Sequence, residues 1–341
     1  MKVLKFGGSS LGNPARVRDV GRIVLDRHPD EPVVVVVSAF QGVTNQLVEC
    51  ARMAERGESQ SVAILNDIAK RHRSAVERLV PNRRGPVAAQ VETLLAELRD
   101  TVHGIHLLRH CPAQALDTTA SFGERLSALI IAAHLQQTHA AAFVDARQFV
   151  TTDDQFTHAA VDFPRTNRAI RAYFSRHFPA GRGASGPIPV VTGFVGATGD
   201  GRTTTLGRNG SDYSAAIVGA ALGASVIEIW TDVDGMLSAD PRAVSSAFPL
   251  PHLSYEEAME LSYFGAKVLH SATIAPAVAK RIPIRIKNTF NPGAPGTLIS
   301  SQRKDDGLLV AKGISSVDGI SLLTLRGTSM VGVPGTAERL F

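Results

Sequence analysis

Residues 3–11 read Val3-Leu4-Lys5-Phe6-Gly7-Gly8-Ser9-Ser10-Leu11. Apolar residues around a single lysine make a short buried strand, and the glycine pair ends it. Asn13 is a suitable N-cap and Pro14 a suitable first helical residue, so a helix is expected to start there. Glycine accepts positive φ and lets backbone come close to a bulky ligand. Strand, glycine turn and helix N-terminus together offer N–H groups and a positive dipole end to an anion, and Lys5 adds a full charge. The expectation is a phosphate site in which Lys5 neutralises oxygens during phosphoryl transfer. The wording is neither GxxxxGK(S/T) nor GxGxxG, and by itself a Gly-Gly after a strand also fits a plain turn.

Working outward, Val33–Val37 is an unbroken β-branched run, as in a strand buried on both faces of a parallel sheet. It stops at Ser38-Ala39, and Gly42 and Thr44-Asn45 precede a helical stretch. Strand–helix–strand–helix from the outset argues for a doubly wound α/β sheet. Ligands of such sheets bind beyond the carboxyl ends of the strands. Residues 5–10 and 38–45 both fall at that edge.

The 341 residues suit two domains, or one large domain with an appendage. With 44% hydrophobic and 20% charged residues, a sizeable core is within reach. The net charge is +5, but Lys and Arg are spread along the chain and not interleaved with aromatics. A solvated basic surface or a small-anion site is therefore expected, not a nucleic-acid partner. Two cysteines, Cys50 and Cys111, imply no disulfide framework and read as small buried thiols. The N-terminus enters a strand directly, with no signal-peptide pattern, and no apolar run reaches the ~20 residues of a membrane span. A cytoplasmic protein without membrane association is the expectation.

Residues 58–136 read as mostly helical, with Val87, Val91, Leu94, Leu95, Leu98, Val102, Ile105 and Leu108 marking a packed face. His103, His106 and His110 form a neighbouring stripe without a carboxylate to complete a metal site. In Thr119-Ala120-Ser121-Phe122-Gly123-Glu124-Arg125, an acid–base pair stands in an apolar helix start. It is either a local ion pair or a carboxylate that grips a cation on a substrate. Residues 180–187 read as a loop. Ile188–Thr192 reads as a strand, and Gly199-Asp200-Gly201 as a hairpin turn. In Leu206-Gly207-Arg208-Asn209-Gly210-Ser211-Asp212, Ser211 is expected to cap a helix from about 212. Arg208 offers a planar fork for a carboxylate or phosphate, and Asp212 a group that orients charge. A strand over 226–230 ends in Thr231-Asp232-Val233-Asp234-Gly235, followed by Asp240-Pro241-Arg242. Ser254 and Glu257 form a capping box. Lys267 either reaches a phosphate or is a surface charge. Residues 284–287 and 297–299 read as closing strands, 300–308 as a polar linker, and 310–314 and 320–325 as two further strands.

These stretches in this order, with Gly193-Phe194-Val195-Gly196 and Phe264-Gly265-Ala266-Lys267-Val268-Leu269-His270, resemble the motif set of aspartate kinases. The resemblance covers residues 2 to about 300 and is closest to the kinase part of fused aspartate kinase–homoserine dehydrogenases. It implies the amino-acid kinase fold, a three-layer αβα sandwich around a mostly parallel sheet. It also implies a kinase domain over 1–302, with an aspartate-binding lobe over 1–200 and a nucleotide-binding lobe over 201–302, and an incomplete ACT-like regulatory segment over 308–341. The implied reaction is ATP-dependent phosphorylation of the side-chain carboxylate of L-aspartate, the first step toward lysine, threonine and methionine. By the same resemblance Lys5 is catalytic and Asp212 orients it. Ser38, Thr44, Glu124, Arg208 and Ser211 hold aspartate. Lys5, Gly7, Gly8, Ser9, Thr231, Asp232, Arg242 and Lys267 hold ATP with Mg²⁺. Homo-oligomer formation is compatible with it. Leu237 departs from the family pattern, which usually has a nucleotide-contacting tyrosine there. Other readings are a kinase of the same fold acting on glutamate, N-acetylglutamate or a nucleoside monophosphate, and a catalytically silent ligand-sensing module.

Overall fold

A computed structural model describes residues 1–179, 186–263, 269–302 and 311–316. The strands are β1 (Lys2–Phe6), β2 (Val33–Val37), β3 (Ala141–Val144), β4 (Thr151–Thr152), β5 (Ile188–Thr192), β6 (Val195–Thr198), β7 (Thr203–Thr205), β8 (Val226–Thr231), β9 (His252–Ser254), β10 (Ile284–Asn288) and β11 (Thr297–Ser300). The helices are α1 (Pro14–Arg27), α2 (Val43–Arg56), α3 (Gln60–Leu79), α4 (Arg84–Leu108), α5 (Ala113–Leu135), α6 (Phe163–His177), α7 (Gly210–Leu222), α8 (Tyr255–Tyr263) and α9 (Ser271–Ala279).

Eight of the described strands form one sheet in the order β3-β5-β2-β1-β8-β10-β11-β9. Every neighbouring pair is parallel except β10 with β11. The all-valine strand β2 shows why helices must cover both faces. Val33, Val35 and Val37 join Leu4, Phe6 and residues of α1 to α5 in one core. Val34 and Val36 join Val3 and residues of α6, α7 and α9 in a second core on the opposite face. Period-2 alternation in a uniformly apolar strand gives two cores, so the chain is an αβα sandwich. β1 lies between β2 and β8, the point where successive connections leave in opposite directions. A crevice opens there at the carboxyl edge. β4, β6 and β7 form a small separate sheet.

Several local expectations are corrected. Gly7 and Gly8 do not use positive φ. They begin a 3₁₀ turn over Gly8–Leu11 that comes before α1, so α1 is not the first helical turn after the strand. Asn13 does cap α1 by accepting from the Arg16 N–H at 3.0 Å. Residues 119–127 lie in the middle of α5, because apolar periodicity runs back to Leu116. α7 starts at Gly210 behind Asn209, and Ser211 sits inside its first turn without a capping bond. Residues 311–316 are irregular, so the strand expected over 310–314 is not formed across them. Their backbone instead reaches Ser238, whose carbonyl accepts the Ile314 N–H at 2.8 Å. Most of the loop expected over 180–187, Lys267, and all of the ACT-like segment except 311–316 lie outside the described residues. The capping box is present: Ser254 N donates to Glu257 Oε2 at 2.8 Å and Glu257 N to Ser254 Oγ at 3.1 Å.

α5 approaches the β2 exit loop at Gly123. A Cβ there would stand 2.7 Å from Ala39 Cβ and 3.3 Å from Leu47 Cδ1. Gly123→Ala is expected to destabilise the protein by about 1–3 kcal/mol, read as a lower urea midpoint at unchanged slope. An unchanged midpoint would show that helix and loop separate at no cost.

Candidate active site

At the carboxyl edge of β1 and β2 lies a cleft of about 560 Å³. It is lined by Lys5, Gly8, Ser38, Thr44, Glu124, Arg208, Ser211 and Asp212. Eight residues singled out from four distant stretches of sequence thus meet in one cavity. Lys5 is the penultimate residue of β1 and shares the face of Val3, toward α7. There its Nζ lies 2.7 Å from Asp212 Oδ1, with both side chains about nine-tenths buried. Ser38 follows β2, and its carbonyl accepts the Ser127 hydroxyl at 2.7 Å. Thr44 stands in the first turn of α2. Arg208 is exposed at the rim, with no ion pair or hydrogen bond among the described residues.

Glu124 comes from the opposite helical layer. The local ion pair with Arg125 is not formed. Arg125 turns to Glu97 at 2.9 Å and toward Asp145 at 3.9 Å. Adjacent helical residues point about 100° apart, which leaves the carboxylate in the cleft wall and the guanidinium behind it. Glu124 Oε2 is buried without a hydrogen-bond partner. Burial pushes the Glu124 carboxyl up to about 8, against smaller opposing contributions from backbone N–H groups at Ala39 and Glu124 and from Lys5. The site therefore holds a proton near neutrality that an arriving cation would expel.

Of the residues assigned to nucleotide, Gly8 lines this cleft, and Gly7 and Thr231 lie at the adjoining ends of β1 and β8. Gly7 N donates to the Trp230 carbonyl at 3.2 Å, so the glycine turn touches the end of β8 just before Thr231. A Cβ on Gly7 would stand 3.4 Å from Lys5 Nζ. Asp232 is exposed and accepts the Thr231 hydroxyl at 3.1 Å. The loop that follows is held by Asp234, which accepts from Asn288 Nδ2 at 2.9 Å and Asn291 Nδ2 at 3.1 Å. Ser9 offers its carbonyl to Arg16 at 2.9 Å. Arg242 pairs with Asp240 at 2.6 Å on an exposed excursion and does not line the cleft. Leu237 bridges to Pro249, so the position that departs from the family pattern packs on its own loop.

Three contributors escaped the sequence reading. Asp117 is buried in the cleft wall, and burial raises its carboxyl despite three hydrogen bonds. Its spacing of seven from Glu124 along one helix places both on the same face, a usable signal. Arg71 donates to the Gln41 carbonyl at 2.6 Å and the Gly12 carbonyl at 3.0 Å. Arg16 donates to Ser9 O and also reaches Gln41 Oε1 at 3.3 Å. These two arginines tie the β1 and β2 exit loops together from behind, and no local pattern announces them.

Among the described residues no three His, Cys, Asp or Glu side chains gather as a metal cage. Mg²⁺ carried on nucleotide phosphates needs only one or two carboxylates, which Asp212 and Asp232 are able to supply.

Comparison with known proteins agrees with this geometry. The model of the amino acid kinase family matches residues 1–288. The bifunctional aspartokinase/homoserine dehydrogenase 1 of Arabidopsis thaliana is 36% identical over 99% of this chain and 37% of its own length. That of Haemophilus influenzae is 34% identical over the whole chain and 41% of its own. The chain thus spans well under half the length of these relatives. E. coli aspartokinase III, solved in complex with aspartate and ADP, superposes with a TM-score of 0.81 at 32% identity, over 89% of this chain and 65% of that one. No helix among the described residues is long and apolar enough to cross a membrane.

The raised Glu124 carboxyl has a consequence for stability. The unfolded chain ionises this group near 4.5 and the folded chain near 8, so between these values the folded state holds the extra proton. The contribution is complete below about pH 4.5 and is lost as pH rises through about 8. Glu124→Gln should flatten that decline, so the variant's urea midpoint should rise relative to the parent's between about pH 4.5 and 8. Parallel midpoint curves from pH 5 to 9 would be the contrary result.

Proposed function

The chain belongs to the amino acid kinase family, and from that membership we propose that it phosphorylates the side-chain carboxylate of L-aspartate with ATP. The product is 4-phospho-L-aspartate, the first committed intermediate toward lysine, threonine and methionine. The observation that carries this reading is the Lys5–Asp212 pair, 2.7 Å apart, in a cleft whose other wall is the buried Glu124. A fixed cation at the end of the central strand faces an acid able to receive an ammonium, and Arg208 at the rim suits a carboxylate.

Phosphoryl transfer asks the protein mainly for position and countercharge. The attacking carboxylate is already an anion at neutral pH, so no general base is required. The obstacle is repulsion between that anion and the triphosphate. Lys5, held by Asp212 with donors to spare, offsets it from fixed geometry. Ser38, Thr44 and Ser211 orient aspartate by hydrogen bonds. Gly7, Gly8 and Ser9 give the phosphates close access to backbone, while Thr231, Asp232, Arg242 and Lys267 hold the nucleotide. Bound Mg²⁺ would add charge neutralisation between the phosphate oxygens. In this reading residues 1–200 and 201–302 form the aspartate and nucleotide lobes, 308–341 opens an ACT-like module, and the protein works in the cytoplasm, where a homo-oligomer is compatible with the fold.

Hydroxamate trapping should detect acyl phosphate from aspartate and none from glutamate. Lys5→Ala should lower kcat on the order of 10²-fold or more. Turnover close to the parent's would remove Lys5 from the mechanism. The aspartate KM should fall as pH rises toward 8, because Glu124 must shed its proton to pair with the ammonium. A flat KM from pH 6 to 8.5 would contradict that role.

A further inference from the structure

Five non-glycine residues among those described have positive φ: Arg109, Thr157, Phe194, Asn209 and Arg281. Arg109 is the C-cap of α4, and Arg281 lies in the turn just after α9. The other three line the cleft. Thr157, at φ 75°, is the costliest of them, because a β-branched side chain crowds the backbone in the left-handed region. Strain of this kind persists only where surrounding contacts hold it.

Asp117 supplies the contact. Its Oδ2 accepts the Thr157 N–H at 2.8 Å and the Thr205 N–H at 2.9 Å, and its Oδ1 accepts the Thr205 hydroxyl at 2.7 Å. Ala159 N–H in turn donates to the Thr205 carbonyl at 2.9 Å. Gly207 rests on the same segment, since a Cβ there would stand 3.5 Å from both the Thr157 carbonyl oxygen and His158 Cβ. Arg208 is the next residue. One buried carboxylate thus binds the strained loop to the strand that leads to Arg208. Both of its oxygens are engaged by protein donors, which ties its action to Thr157 and Thr205.

We infer that Asp117 is a positioning residue: its carboxylate holds Thr157 in the left-handed conformation and thereby sets where Arg208 meets the substrate carboxylate. The kinetic part of this inference rests on the proposed aspartate kinase activity.

Asparagine at 117 is able to accept both N–H groups on its carbonyl oxygen and donate its amide to Thr205 Oγ1, keeping the geometry without the charge. Alanine removes all three bonds. Glycine at 157 adopts the same φ without strain. In the full chain, Asp117→Ala should raise the aspartate KM on the order of tenfold while the ATP KM stays within about twofold. Asp117→Asn should stay close to the parent, and Asp117→Ala with Thr157→Gly should recover most of the aspartate KM. If Asp117→Asn is as damaging as Asp117→Ala, if both KM values rise together, or if Thr157→Gly restores nothing, the inference is overturned. Should Asp117→Ala fail to fold, Asp117→Asn decides against the parent: an aspartate KM raised on the order of tenfold would overturn the inference. Urea unfolding of the cycle needs no substrate: Asp117→Ala should cost more in the Thr157→Gly background than alone, because with glycine at 157 there is no strain left to release, and additive costs would overturn the proposal. A parent chain that does not phosphorylate aspartate would sink the proposed function, and the unfolding cycle would still decide the role of Asp117.

Discussion

The molecule is arranged around one pair of opposite charges, Lys5 and Asp212, 2.7 Å apart at the end of the central strand. A lysine on a buried strand is costly unless it is paired and its amino group reaches a polar opening. Both conditions are met only because α7 lies across the same face of the sheet and brings Asp212 to its first turn. The position of β1 between β2 and β8 adds the opening, because connections diverge there and leave the carboxyl edge uncovered. The charge is thereby fixed without being sealed.

The two helical layers give the cleft its chemical asymmetry. α7 contributes an acid already paired with a cation. α5 contributes Glu124, buried and raised to about 8, whose Oε2 has no hydrogen-bond partner among the described residues. Two of the cavity's carboxylates thus differ by surroundings alone, one paired with a lysine and the other buried and raised to about 8. The close contact at Gly123 makes this arrangement possible by letting α5 reach the β2 exit loop.

Precision in the loops comes from groups outside the reacting centre. Arg16 and Arg71 gather carbonyls of the β1 and β2 exit loops, and Arg16 also lies over the Phe290 ring at 4.6 Å. Asp117 does the corresponding work on the opposite wall. Loops at a carboxyl edge have few neighbours of their own, and guanidinium forks and buried carboxylates substitute for packing by saturating several backbone groups at once.

The sequence alone was enough for the mostly parallel sheet, its two-sided burial and the edge at which the cleft opens. These rest on local signals: the unbroken β-branched run of Val33–Val37, helical periodicity in α4, glycine turns after strands, and the Ser254–Glu257 box. Lys5, Arg208 and Asp212 stood out in the same way, each close to a glycine turn, whereas Glu124 lies in the middle of α5 and stood out only as a charge in an apolar stretch. Other features were decided by tertiary structure. Arg125 left its neighbour for Glu97, Gly7 and Gly8 served close approach without positive φ, and Asp117 took up Thr205, 88 residues away. Each of these choices is a competition among partners distant in sequence, settled by which of them the packed layers bring within hydrogen-bond reach. A linear pattern records a residue's own preference and carries no record of its rivals.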